Sequence, residues 1–146
     1  MPITDAFSES LQTHPLYTWA VLGVVVLGIV SFVLLWFISA PYGRHVRPGW
    51  GPTINATALW VIMEAPSPIA FAVVYFMSDN AFETVPLLLF GMYMLHYVNR
   101  SFIYPFRMRG GHKKKPIVTG VLALAFNTAN GSTNAFAITE LAPHLL

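Results

Sequence analysis

The 146-residue chain contains no cysteine, which excludes a disulfide framework, a thiolate nucleophile and a cysteine-held metal site. Any redox chemistry must therefore belong to a bound cofactor. Charge is scarce as well. Only 10% of the residues are Asp, Glu, Lys or Arg against 55% hydrophobic, and a soluble domain so composed would aggregate; the profile is that of a membrane protein. The five histidines are too scattered to suggest a metal site, and no nucleic-acid-binding module occurs. No internal repeat or low-complexity linker interrupts residues 1–146, so the simple reading is one domain.

The few charges that exist are sorted along the chain. Arg44 and Arg47 form one basic cluster, while Arg100, Arg107, Arg109 and Lys113 to Lys115 form another; Asp5, Glu9, Asp79 and Glu83 lie between or before them. By the positive-inside rule the N-terminus is outside or lumenal, the first and third loops are cytoplasmic, and the 78–83 loop is on the outer side. Such a protein is expected in the endoplasmic reticulum of a eukaryote or the inner membrane of a bacterium.

Between these charges the pattern predicts an all-α, polytopic membrane bundle. A hydrocarbon core needs roughly 20 helical residues, and four stretches satisfy it, at about 17–40, 55–77, 84–104 and 116–139. The first is read as a span rather than a signal peptide, because no basic segment precedes it and no small-residue cleavage pattern follows. The fourth starts as a clear helix and turns polar at "FNTANGSTN". Asn-X-Ser/Thr triplets at Asn55, Asn99 and Asn130 fall in the membrane or on its cytoplasmic side and are read as chance.

Inside the second span, "WVIMEAPSP" (60–68) carries the acid Glu64 at a depth where a charge costs about 2.5–3.5 kcal/mol. Glu64 must face the bundle interior, protonated or partnered. Pro66 and Pro68 cannot donate to the carbonyls four residues earlier, Ile62 and Glu64, and so break the helix at that depth. Trp60 lies one turn before Glu64 on the same face. On the third span Tyr93, Tyr97, Arg100, Ser101 and Tyr104 share one face and descend toward "RMRGGHKKK" (107–115), whose cations and flexible backbone suit phosphates or anionic headgroups. Interfacial tyrosines and positive-inside arginines would place several of these residues without any site. Likewise a structural Glu bonded to a neighbouring helix, the proton site of a small transporter, or a non-catalytic membrane scaffold are readings the residues alone leave open.

Four ordered blocks, "YGRH" (42–45), "WVIMEAPSP", "HYVNRSFIYPFRMRGG" (96–111) and "AFNTANG" (125–131), together resemble the N-terminal portion of the steroid 5α-reductase family. The resemblance implies NADPH-dependent reduction of the Δ4 double bond of a 3-oxo-Δ4 steroid, with membrane lipids as surroundings; related reductases of polyprenol-type or enoyl thioester lipids are the nearest alternative. By position it makes Glu64 and Tyr97 the pair that binds the 3-oxo group. Trp60, Met63 and Phe126 become substrate-pocket residues, and Arg100, Arg109, Gly110 and Asn130 fall on the nucleotide side. Met63 stands where many members have Gln, which removes a polar contact. Family members also continue past the point matched by Leu146, into segments that supply most NADPH contacts.

Overall fold

The computed structural model describes residues 3–38 and 49–141. Arg44, Arg47 and the rest of the "YGRH" block therefore lie outside the described residues, as do positions 39–40 of the first predicted span. The chain divides into two compact units, 1–38 and 39–146.

In the first unit a helix α1 (Ile3–Thr13) occupies what the sequence offers only as a polar, acidic preface. It stops at His14, and α2 (Pro15–Leu34) begins on a proline whose missing N–H and fixed φ suit a first helical turn. The Thr18 hydroxyl donates back to the His14 carbonyl at 3.0 Å. Val25, Val26 and Leu27, about 100° apart around α2, are all exposed, and a helix apolar all round belongs in lipid rather than on a water-facing surface.

The second unit is built on a small clasp. Strands β1 (Thr53–Asn55) and β2 (Lys114–Pro116) pair antiparallel, Ile54 opposite Lys115. Ala56 N–H to the Lys113 carbonyl (2.8 Å) and Ile117 N–H to the Pro52 carbonyl (2.9 Å) extend the ribbon. Helices α3 (Ala56–Glu64) and α7 (Ile117–Phe136) start from it. Asn55 caps α3, its side-chain oxygen accepting from Thr57 and Ala58 N–H. At Ala65 the helix is interrupted, and α4 (Pro66–Tyr75) continues in nearly the same run, so that 56–75 joins α2 as the second stretch long and apolar enough to cross a membrane.

A 3₁₀ turn (Asp79–Phe82), capped by Ser78, reverses the chain into α5 (Thr84–Val98). A π turn (Asn99–Ile103) and the short α6 (Tyr104–Arg107) bring it back to the clasp. There the Thr57 hydroxyl donates to the Pro105 carbonyl, and Gly110 at φ 83° makes the turn that an L side chain resists. Helix α5 thus runs antiparallel to α3–α4, while α7 runs parallel to them.

Close packing of α7 depends on small residues. Gly120, Gly131 and Ala135 are buried along one face with Asn127, and a Cβ on Gly131 would overlap the Ser67 carbonyl and lie 3.1 Å from Phe71 N. Helices in membranes associate through such small residues. This explains why the polar end of α7 stays helical to 136 and closes with a π turn (Ala137–Leu141). Phe71, Tyr75, Ala81 and Ala135 form the core, with Phe90, Tyr93 and Ile138 packed around them. The described chain is mostly helical, the three-residue ribbon being the part that helical periodicity does not announce.

Candidate functional site

Glu64 is the last residue of α3, directly before the proline-led break, and its side chain is 3% exposed. Both carboxylate oxygens accept from Arg100: Nε donates to Oε2 at 2.8 Å and Nη2 to Oε1 at 2.7 Å. This is the two-pronged geometry a guanidinium fork makes with a carboxylate. The Glu64 side chain is nearly sealed, while that of Arg100 is 42% exposed.

The backbone of Arg100 explains how it reaches there. In the π turn Tyr104 N–H bonds to the Asn99 carbonyl, so the next donor in register, for the Arg100 carbonyl, would be residue 105. That residue is proline and has no N–H. The Trp60 indole reaches the Arg100 carbonyl, Nε1 donating at 3.1 Å. The Trp60 ring also lies 5.4 Å from the guanidinium carbon and packs on Tyr104 at 5.3 Å. Beside it Ser101 is fully buried, and its hydroxyl has no hydrogen-bond partner among the described residues.

One turn earlier on α5 a second cluster forms. Tyr93 stacks on Phe71 (3.8 Å) and on Tyr97 (4.5 Å), and its hydroxyl shares a 2.7 Å hydrogen bond with Ser67. Asn130 Nδ2 donates to the Tyr97 hydroxyl at 3.2 Å, and Asn134 Nδ2 donates in turn to the Asn130 side-chain oxygen at 3.1 Å. A hydroxyl oxygen that accepts from an amide can still donate its own hydrogen. Asn127 donates to the Met63 carbonyl at 2.6 Å, a bond from α7 into the broken part of α3–α4.

The residues singled out in the sequence therefore sort into three places. Glu64, Trp60 and Arg100 form one contact group, and Tyr97 and Asn130 form another a turn away. Arg109 is exposed and Gly110 partly buried in the loop at the clasp. Met63 is buried, whereas Phe126 is 46% exposed. Two surface grooves lie elsewhere: one of about 590 Å³ against His96 and Asn99, and one of about 550 Å³ between Asp79 and Glu140. Ser67 and Asn127 were not foreseen as site residues. Asn127 could have been, since it falls at i+7 from Gly120 and i−4 from Gly131 on the buried face.

The fold and the clusters define a helical protein of membrane character with an acid, an arginine and a hydroxyl gathered between its helices. No family model matches the chain. It is 34% identical over 132 residues to steroid 5-alpha-reductase DET2 of Arabidopsis thaliana, covering 87% of this chain and 50% of that protein. Similarity to 3-oxo-5-alpha-steroid 4-dehydrogenase 1 is 35% over 109 residues for Bos taurus (72% and 42% of the two chains) and 39% over 96 residues for Homo sapiens (64% and 36%). Over most of its length, then, the chain is similar to the steroid 5α-reductases, as its four blocks suggest. It spans about half the length, or less, of the curated relatives it matches.

Proposed function

We propose that this chain supplies the carbonyl-binding part of an NADPH-dependent membrane enzyme that reduces the Δ4 double bond of a 3-oxo-Δ4 steroid to the 5α product. The observation that carries the reading is the Tyr97 hydroxyl, held by Asn130 one turn from the Glu64–Arg100 pair. As hydride adds to C5, the electrons of the conjugated system move onto the C3 oxygen, and C4 then takes a proton. A donor fixed at that oxygen, away from water, stabilises the developing charge. Tyr97 donates to the ketone. Glu64 takes the second position there in its protonated form, after Arg100 has moved off its oxygens. Trp60 and Met63 form the apolar wall beside the ketone, and Phe126 joins them on the lipid-facing side.

The residues present fit part of the cofactor. Exposed Arg109, beside the left-handed Gly110 and near Lys113, offers the charge and open backbone that a phosphate requires. Arg100 is engaged with Glu64 and Asn130 with Tyr97, and they turn to the nucleotide on rearrangement. When bound, NADPH supplies the hydride.

The setting is a single membrane domain with four spans, α2, α3–α4, α5–α6 and α7. The clasp end, with its cations, is cytoplasmic and close to lipid headgroups; the 78–83 turn is on the other side. The membrane is that of the endoplasmic reticulum or the bacterial inner membrane. The test is a double-mutant cycle on kcat/KM in membranes carrying the native gene product. Tyr97→Phe lowers it by about 10²–10³, the usual loss for one oxyanion donor, and Glu64→Gln, which keeps a donor, costs less than Glu64→Ala. Because the two groups act as a unit, the double variant is less impaired than the product of the singles. Full activity in Tyr97→Phe would remove the carbonyl role.

A further inference from the structure

Trp60 enters the reading above as a pocket wall, yet two of its contacts go to Arg100. Its indole N–H donates to the carbonyl of Arg100, whose i+5 position in the π turn is Pro105, a residue with no N–H. Its ring flanks the guanidinium of the same residue at 5.4 Å. Arg100 is thereby gripped at both its backbone and its head, and Tyr104, one residue before Pro105, packs on the indole at 5.3 Å. With backbone and head held, the fork meets both oxygens of Glu64.

We infer that Trp60 is a positioning residue: it fixes Arg100 in the π turn and so latches Glu64 as a paired carboxylate until Arg100 is drawn away. The consequence at the steroid ketone rests on the proposed function; the latch itself does not. Pro105 is the other half of the device. Without it a backbone N–H would take the carbonyl that recruits the indole, and Trp60 would lose its grip on the turn.

The test reads the latch directly. In the ¹⁵N-arginine-labelled chain in micelles, the Arg100 Nε–H, assigned by its loss in Arg100→Lys, is protected from exchange by its bond to Glu64. Trp60→Phe keeps an aromatic ring and removes the indole donor; exchange at Arg100 Nε–H then quickens about tenfold, as for loss of one hydrogen bond. Pro105→Ala, which leaves Trp60 in place and adds a backbone N–H, produces the same acceleration. Through both substitutions the Asn127 side-chain amide, bonded to Met63, keeps its protection. Wild-type exchange at Arg100 in either variant overturns the inference, and so does acceleration that spreads equally to Asn127, since Trp60 would then merely hold the fold. Steroid reduction is assayed separately: its absence would remove the proposed function and leave the exchange result standing.

Discussion

Removing the cation from the Glu64–Arg100 pair should cost far more than removing the anion, because the two ends are unequally buried. Glu64 is 3% exposed, whereas Arg100 is 42% exposed and can turn its head toward water or headgroups. Breaking a buried pair by deleting one partner costs about 3–5 kcal/mol when the survivor is an uncompensated buried charge. Since Arg100 is partly open, the lower end applies. Arg100→Gln should therefore lose about 3 kcal/mol, a factor of roughly 150 in the folding equilibrium. Glu64→Gln should lose about 1 kcal/mol, the worth of a weakened hydrogen bond. The double variant Glu64→Gln/Arg100→Gln should recover most of the Arg100→Gln loss. The assay is reversible unfolding in mixed micelles by titration with a denaturing detergent, followed by helical circular dichroism. Equal losses for the two single variants, or strict additivity in the double, would refute the claim that the acid is sealed and its partner is not.

Three further outcomes follow from other parts of the molecule. Gly131→Ala should destabilise by about 1–3 kcal/mol, because its Cβ meets the Ser67 backbone rather than a side chain that can yield; Gly91→Ala, with nothing within 4 Å, should be neutral or stabilising by up to about 1 kcal/mol. The same detergent titration measures both. Single cysteines placed at Lys114 and Asp79 should label from opposite faces of sealed vesicles, since charge sorting assigns the clasp and the 78–83 turn to opposite sides; labelling from one face would overturn the orientation. Arg109→Ala should weaken NADPH binding by about ten- to a hundredfold, the range for one hydrogen bond to a charged group, as read by equilibrium titration of the native gene product. Unchanged affinity would remove Arg109 from the nucleotide side.

Much of the helical layout was legible because its punctuation is local. Asn55 caps α3 at the predicted start of the second span and Pro66 starts α4 at the predicted break, whereas α2 runs from Pro15 to Leu34 against a predicted 17–40. The partner of Glu64 was not legible. The two residues are 36 apart in sequence, and their meeting depends on the register of α5 against α3, which the π turn sets. Its cause, Pro105 within a helical run, stands in plain view in "HYVNRSFIYPFR", but nothing nearby marks Trp60 as the donor that accepts the consequence. The clasp escaped notice because strands of three residues carry too few positions for an alternating pattern. The polar stretch "FNTANGSTN" falls inside the predicted 116–139 span, and small residues recurring toward α4 are what hold it helical.

Whether the resemblance to the steroid 5α-reductases extends to the reaction itself is read most directly by isotope transfer. Membranes carrying the native gene product are incubated with a 3-oxo-Δ4 steroid and NADPH deuterated at the transferable hydrogen, and the product is analysed by mass spectrometry and NMR. The expected product is a 5α-reduced 3-oxo steroid bearing one deuterium at C5, formed by the wild type and slowed in Tyr97→Phe by about 10²–10³ in rate. Steroid recovered unreduced from the wild type, or deuterium delivered at any position other than C5, would contradict it.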